Sequence, residues 1–238
     1  MAGPAAFDEV QARLRVLGNP ERAEHSKRFF KTGPGEYGAG DIFLGLKVPD
    51  IRKVSRQFRG LPMPDLRRLL RSPIHEDRLA ALLILVLQFE RGNQLDRERI
   101  YKFYLKNTRF VNNWDLVDAS AHRIIGGYLE GKKRDVLGRL AKSPSLWERR
   151  IAIIATYHFI KQDDFVWTLK IASRLACDTE DLIHKAVGWM LREVGKRDRA
   201  AAEDFLARNY RRMPRTMLRY AIERFPESRR QAYLNGQV

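Results

Sequence analysis

Helical period runs through this chain, and the helices come in pairs at a nearly fixed spacing. Short breaks at Pro62-Met63-Pro64, Ser72-Pro73, Gly92-Asn93, Gly131, Ser143-Pro144, Asp178, Asp198 and Met213-Pro214 separate the segments. The more apolar member of each pair begins near Glu76, Asn113, Leu146, Asp181 and Arg215. Comparable positions, Arg78, Asp115, Arg150 and His184, recur at 37, 35 and 34 residues. Such a period, helix pair after helix pair, marks an α-solenoid of the HEAT or armadillo sort, because one pair alone cannot bury its apolar face. The expectation is an all-α solenoid of HEAT-like helix pairs forming a single domain over 1–238. One helix of each pair would line a concave face. The repeats share little sequence, so spacing alone also admits an irregular helical bundle.

Charge says what such a face would hold. The chain carries 45 Lys and Arg against 29 Asp and Glu, a formal charge of +16. An excess of that size points to polyanions, and a basic concave face is shaped to hold a duplex. Simple solubility is the alternative, although added acid serves solubility better than added base. The longest apolar stretch, Leu79 to Leu87, is half of the ~18 residues a membrane span needs, and no basic-then-apolar leader opens the sequence. The single cysteine, Cys177, allows no intramolecular disulfide and no cysteine-based zinc site, and its setting predicts a small buried side chain. Histidines at 25, 75, 122, 158 and 184 show no metal-ligand spacing. No metal, no cofactor and no membrane are therefore expected. A reducing, cytoplasmic location follows, and self-contained repeats make a monomer the default.

Near the start, Phe7–Leu17 and Pro20–Lys31 read as helices. The glycine-rich segment Gly33–Gly40 lacks the Gly-Lys-Ser/Thr of a phosphate-binding loop and reads as a surface loop. Beyond it, Pro49 opens a helix whose N-terminus Lys47 and Arg52 flank, a place suited to phosphate.

Three later segments carry chemistry. Asn112-Asn113-Trp114-Asp115-Leu116-Val117-Asp118 opens a helix with Trp114 and Asp118 one turn apart on one face. Asn112 or Asn113 suits the cap, and Asp115 suits the positive end of the helix dipole. Neither role explains Asp118, at the edge of the stripe Val117, Ala121, Ile124 and Tyr128. In the helix from about Glu180 to Gly195, Ile183, Val187, Met190 and Val194 form the core stripe, while Lys185, Trp189, Arg192 and Lys196 form another. That tryptophan either covers a neighbouring repeat or serves a binding surface, with the cations on phosphates. In the apolar helix from Ser145 to Ile160, Arg150 must find an anion, either a carboxylate of another helix or a phosphate.

With Asn-Trp-Asp-Leu-Val-Asp, Trp-Glu-Arg-Arg-Ile-Ala and Lys-Ala-Val-Gly-Trp-Met-Leu-Arg-Glu in view, the chain resembles the AlkD family of DNA alkylation-repair glycosylases. The likeness extends from the Phe-Leu-Gly-Leu-Lys-Val-Pro entry at residue 43 to the helices after 214. It is carried by Trp114 and Asp118 in Trp-x-x-x-Asp, Arg150 and Trp189. Correspondence is weakest at the Gly33–Gly40 loop and in the basic stretch containing Arg211, Arg212, Arg215 and Arg219.

The resemblance implies a HEAT-like solenoid that hydrolyses the N-glycosidic bond of N3- and N7-alkylated purines in double-stranded DNA. It implies action without drawing the lesion into a base pocket, the usual course for glycosylases. Asp118, Trp114 and Trp189 would be catalytic, and Arg150, Lys185, Arg192, Lys47 and Arg52 would bind DNA. The enzyme would be bacterial in type and nucleoid-associated when acting. The chemistry is coherent, since a glycosidase needs two carboxylates when one must protonate the leaving group. An alkylated purine is already cationic, so one carboxylate is enough. The rival from another class is a non-catalytic HEAT-repeat module that binds nucleic acid or protein, with Asp118 a structural ion-pair partner. A helix–hairpin–helix glycosylase, hinted at by Gly33-Pro34-Gly35, lacks a recognisable catalytic helix after that loop.

Overall fold

The computed structural model describes residues 6–238. It is all-α, built of the successive helix pairs of an α-solenoid, and among the described residues the only β feature is a bridge between Ile42 and Ile74. The chain divides into two compact units, one ending at Ser120 and one beginning at Ala121.

The first unit contains α1 (Ala6–Val16), α2 (Pro20–Phe29), α3 (Val48–Gln57), α4 (Met63–Leu70), α5 (His75–Arg91), α6 (Gln94–Lys106) and most of α7 (Trp114–Ala121). Local chemistry sets these bounds. Asn19 accepts from the Arg22 N–H at 2.8 Å ahead of Pro20, and Asn93 accepts from the Asp96 N–H at 3.0 Å. The centre is α5, buried nearly all round, with α3, α4 and α6 packed on it. Its first four residues, His75, Glu76, Asp77 and Arg78, are also buried, at 0–3% exposure. Four ionisable groups in a core must all be paired, and this is what shapes the site.

The second unit runs through α8 (Asp135–Leu140), α9 (Leu146–Ala155), α10 (Tyr157–Ile160), α11 (Val166–Leu175), α12 (Asp181–Arg197), α13 (Arg199–Asn209), α14 (Arg215–Ala221) and α15 (Glu227–Leu234). A π-helical turn at His122–Gly126 precedes them. The expected long helix 145–160 is interrupted at Thr156, whose buried hydroxyl donates to the Ile153 carbonyl at 2.7 Å. Such back-bonding competes with the helix ladder. The α12 backbone approaches α14 closely at Gly188, where a Cβ would meet the Tyr220 Cβ at 2.5 Å and the Met217 carbonyl oxygen at 2.6 Å.

The inner helices begin at His75, Trp114, Leu146, Asp181 and Arg215, within one residue of the expected starts. One register needs correction. Arg78 donates through one Nη to the carbonyls of Ser72 and Pro73, and Arg149 does the same to Ser143 and Pro144. His184 donates to the Asp178 carbonyl at 2.5 Å, again six residues back. The repeating position is thus Arg78, Arg149 and His184, each the fourth residue of its helix; Arg150 is one step past it, and Asp115, the second residue of α7, is two short of it. Cys177 also departs from expectation. It is exposed, because it follows the last buried turn of α11.

Candidate functional site

Within the first unit the site grows from the Ile42–Ile74 bridge. The Ile42 N–H donates to the Pro73 carbonyl at 3.2 Å, and the His75 N–H donates to the Ile42 carbonyl at 2.8 Å. In extended backbone, residues i and i+2 share a face, so the bridge turns Asp41 and Phe43 inward and leaves Ile42 outside. The next residues are tied as well. Glu76 accepts from the N–H groups of Leu44, Gly45 and Leu46 at 2.9, 2.8 and 3.2 Å. Only glycine serves at 45: φ is +77°, and a Cβ would lie 2.3 Å from the Asn19 carbonyl oxygen.

His75 stands in the space so made. Its Nε2 meets the Asp115 carboxylate at 2.8 Å, and its Nδ1 meets Asp41 at 3.3 Å. Arg78 reaches Asp41 at 2.7 Å, and the Asn113 amide donates to Asp41 at 3.4 Å. Burial alone would discharge the imidazole. Asp115 and Asp41 outweigh it and raise the pKa from 6.5 to about 9, so the ring is an imidazolium at neutral pH. Asp41, despite its own burial, is held below its ordinary value by His75 and Arg78. The charged ring packs against both Phe30 and Phe43, at centroid distances of 4.9 and 4.7 Å, and those two rings stack on each other at 5.0 Å.

Trp114 completes this cluster. Its ring stacks on Phe30 at 5.3 Å and 19°, and it meets Phe29 edge to face at 5.8 Å. The Trp114 backbone N–H donates to the Asn113 side-chain oxygen at 2.8 Å, so Asn113 serves both the helix start and Asp41. Asp115, expected only to suit the helix dipole, is the main counter-ion of His75. One turn on, Asp118 is half-buried beside Tyr104. Ser120 donates its proton to the Leu116 carbonyl at 2.6 Å, so the Tyr104 hydroxyl is the donor in their 2.9 Å contact. Burial raises the Tyr104 pKa, and the Asp118 charge adds to the rise. The unit therefore offers a carboxylate one turn beyond a rigidly held indole. Lys47 and Arg52 stand exposed at the start of α3, just past the backbone that Glu76 clamps.

The second unit carries the other four expected residues. Trp189 lies off the buried face of α12, formed by Ile183, Val187, Met190 and Val194. Its indole N–H donates to Glu193 at 3.2 Å, and its ring sits 5.9 Å from Tyr157, which in turn meets His122 edge to face at 5.5 Å. Arg150 is 5% exposed and donates to the Leu182 carbonyl at 2.5 Å. Its neighbour Arg149 grips Asp178 with two bonds at 2.7 and 3.3 Å. Lys185 pairs with Asp181 at 2.7 Å, and Arg192 is held between Glu223 and Glu193. A phosphate would have to compete with Asp181 and Glu223 for these two cations. No group of three His, Cys, Asp or Glu with metal-binding geometry occurs among the described residues, and no helix there is long and apolar enough to cross a membrane.

Sequence reasoning missed His75, Asp41, Glu76, Phe30 and Phe43 in the first unit, and Tyr157 and Glu193 in the second. A signal existed for the first group: four consecutive ionisable residues, His-Glu-Asp-Arg, immediately precede the longest apolar run.

A family model described as DNA alkylation repair enzyme matches residues 10–225. Among solved structures, the fold is similar to that of a predicted DNA alkylation repair enzyme from Enterococcus faecalis. The TM-score is 0.68 at 17% identity, over 89% of this chain and 98% of that one. No curated protein matches the sequence.

Proposed function

Because the chain belongs to the DNA alkylation repair enzyme family, we propose that it is a monofunctional DNA glycosylase that excises cationic N3- and N7-alkylated purines, such as 3-methyladenine and 7-methylguanine. The observation that carries this reading is the clamped start of α7. Asn113 and Asp115 are engaged by Asp41 and His75, the Trp114 ring is packed on Phe30, and Asp118 follows one turn later. A rigid indole beside a carboxylate suits a reaction whose transition state gathers positive charge on a sugar.

The alkylated purine leaves with the electrons of the C1′–N bond and becomes neutral, so it needs no proton. Asp118 stabilises the oxocarbenium-like sugar and orients the water that adds to C1′, and that water's proton passes to Asp118 or to solvent. Trp114 and Trp189 each offer an indole face to the deoxyribose. Arg150 holds a phosphate near the lesion, with Lys185, Arg192, Lys47 and Arg52 on the backbone. On this reading the base is cleaved without being drawn into a pocket, and the protein acts on duplex DNA as a monomer.

The test is release of 7-methylguanine and 3-methyladenine from methylated duplex DNA in a single turnover. Free base should appear together with intact-backbone abasic sites. A purified protein that binds the duplex but releases no base would be a non-catalytic DNA-binding module, and the reading would fail.

A further inference from the structure

The first unit has a groove of about 620 Å³ between α4 and α6. None of its lining residues belongs to the His75–Trp114 cluster. Cations line both walls: Arg67 comes from α4 and Arg71 from its C-cap, while Arg99, Lys102 and Lys106 come from α6, with Glu98 the one carboxylate among the lining side chains. Spacings of three and four residues put each set on one helix face, and all five side chains are exposed. Their charge is unevenly balanced. Arg99 pairs with Asp96 at 3.0 Å and Lys102 with Glu98 at 2.5 Å. Arg67, Arg71 and Lys106 have no carboxylate partner among the described residues. Arg67 lies over Phe103 at 5.7 Å and Arg71 over Phe110 at 5.4 Å, so rings support both guanidinium groups. Facing rows of like charge repel across a narrow space, and an anion relieves that.

The groove is also apolar. Met63 lines it, and Leu95 stands at its head 77% exposed, so the groove offers apolar surface beside its cations. A second groove of about 520 Å³ shares Met63 and Arg99 and adds Arg59 and Arg91, extending the basic channel. Apolar contact between two cationic walls is the complement of an amphipathic helix rich in Asp and Glu. A nucleic-acid strand fits less well. Phe103 is 6% exposed with Arg67 over it, so it offers a base no open ring to stack on, and phosphates have no use for Leu95 and Met63. We infer that this groove docks an acidic amphipathic helix of a partner protein, with its carboxylates on Arg67, Arg71 and Lys106 and its apolar side chains on Leu95 and Met63.

The test uses the full-length chain and a fluorescein-labelled synthetic peptide rich in Glu, with Leu at positions i, i+3, i+4 and i+7. Controls are the same peptide with Ser for Leu and a labelled duplex oligonucleotide, all read by anisotropy. The variants are Leu95→Asp and Lys106→Glu, both at exposed positions, with circular dichroism to confirm their folding. The leucine peptide should bind about ten-fold more tightly than the serine peptide, and each variant should lose that difference while duplex affinity stays within about two-fold. Equal binding of both peptides would reduce the groove to bulk charge. Variants that lose duplex affinity but keep peptide binding would assign it to nucleic acid. Either result overturns the inference.

Discussion

The His75 imidazole meets the carboxylate of Asp115, the residue after Trp114, at 2.8 Å, and this contact ties the start of α5 to the start of α7. Its charge makes the clamp pH-dependent. With a folded pKa of about 9 against 6.5, the histidine contributes stability that is full below pH 6.5 and is lost as pH rises through 9. Asp41, held below 3.8, contributes in the opposite sense: its share is present above pH 3.8 and is lost as acid takes the pH through its lowered value. The melting temperature should therefore fall between pH 6.5 and about 9.5, and His75→Gln should flatten that slope. If the variant keeps the wild-type slope, the titration belongs to another group.

Removing the ring without a replacement donor should cost more. His75→Leu leaves Asp41 and Asp115 buried with one cation fewer, and breaking a buried pair in this way costs about 3–5 kcal/mol. Urea denaturation measures it. A loss below about 1 kcal/mol would mean that water replaces the histidine readily.

Asp118→Asn keeps size and removes charge. On the proposed mechanism, single-turnover excision should fall by about 10²–10³-fold, the scale of losing one transition-state electrostatic contact. Melting temperature and duplex affinity should stay near wild type. A variant that excises normally removes Asp118 from the chemistry, and one that fails to fold makes it structural.

The all-α class and the inner-helix starts were readable because they depend on periodicity and caps, which are local. So was the division of α12, since a 3.6-residue period alone puts Trp189 off the Val187 face. The His75 cluster was not readable in the same way. It joins Phe30, Asp41, Phe43, His75 and Asn113–Asp115 across long stretches of sequence, and the Ile42–Ile74 bridge that aligns them leaves no periodic trace. Arg149 and Arg150 illustrate the same limit. Spacing found the region but could not say which arginine repeats Arg78, because that depends on the Ser143 and Pro144 carbonyls it reaches.

Close helix approach gives a prediction independent of function. Gly188→Ala would place a methyl 2.5 Å from the Tyr220 Cβ and 2.6 Å from the Met217 carbonyl oxygen, so α12 and α14 must part. The expected loss is about 1–3 kcal/mol, despite the better helix propensity of alanine. Chemical denaturation checks it. A gain in stability would show that α14 moves away at no cost.

The adjacent arginines of α9 should separate structure from binding. Arg149 holds Asp178 with two bonds and two carbonyls with a third nitrogen, so Arg149→Ala should lower the melting temperature and leave the DNA salt slope alone. Arg150 is assigned a phosphate on the proposed reading, and Arg150→Ala should weaken duplex binding while reducing the slope of log K against log salt by about one. The two measurements are independent, because one follows folding and the other counts released counterions. If Arg150→Ala leaves the slope unchanged and lowers the melting temperature instead, both arginines are structural. The backbone contacts would then have to come from Lys47, Arg52 and the cations of α12.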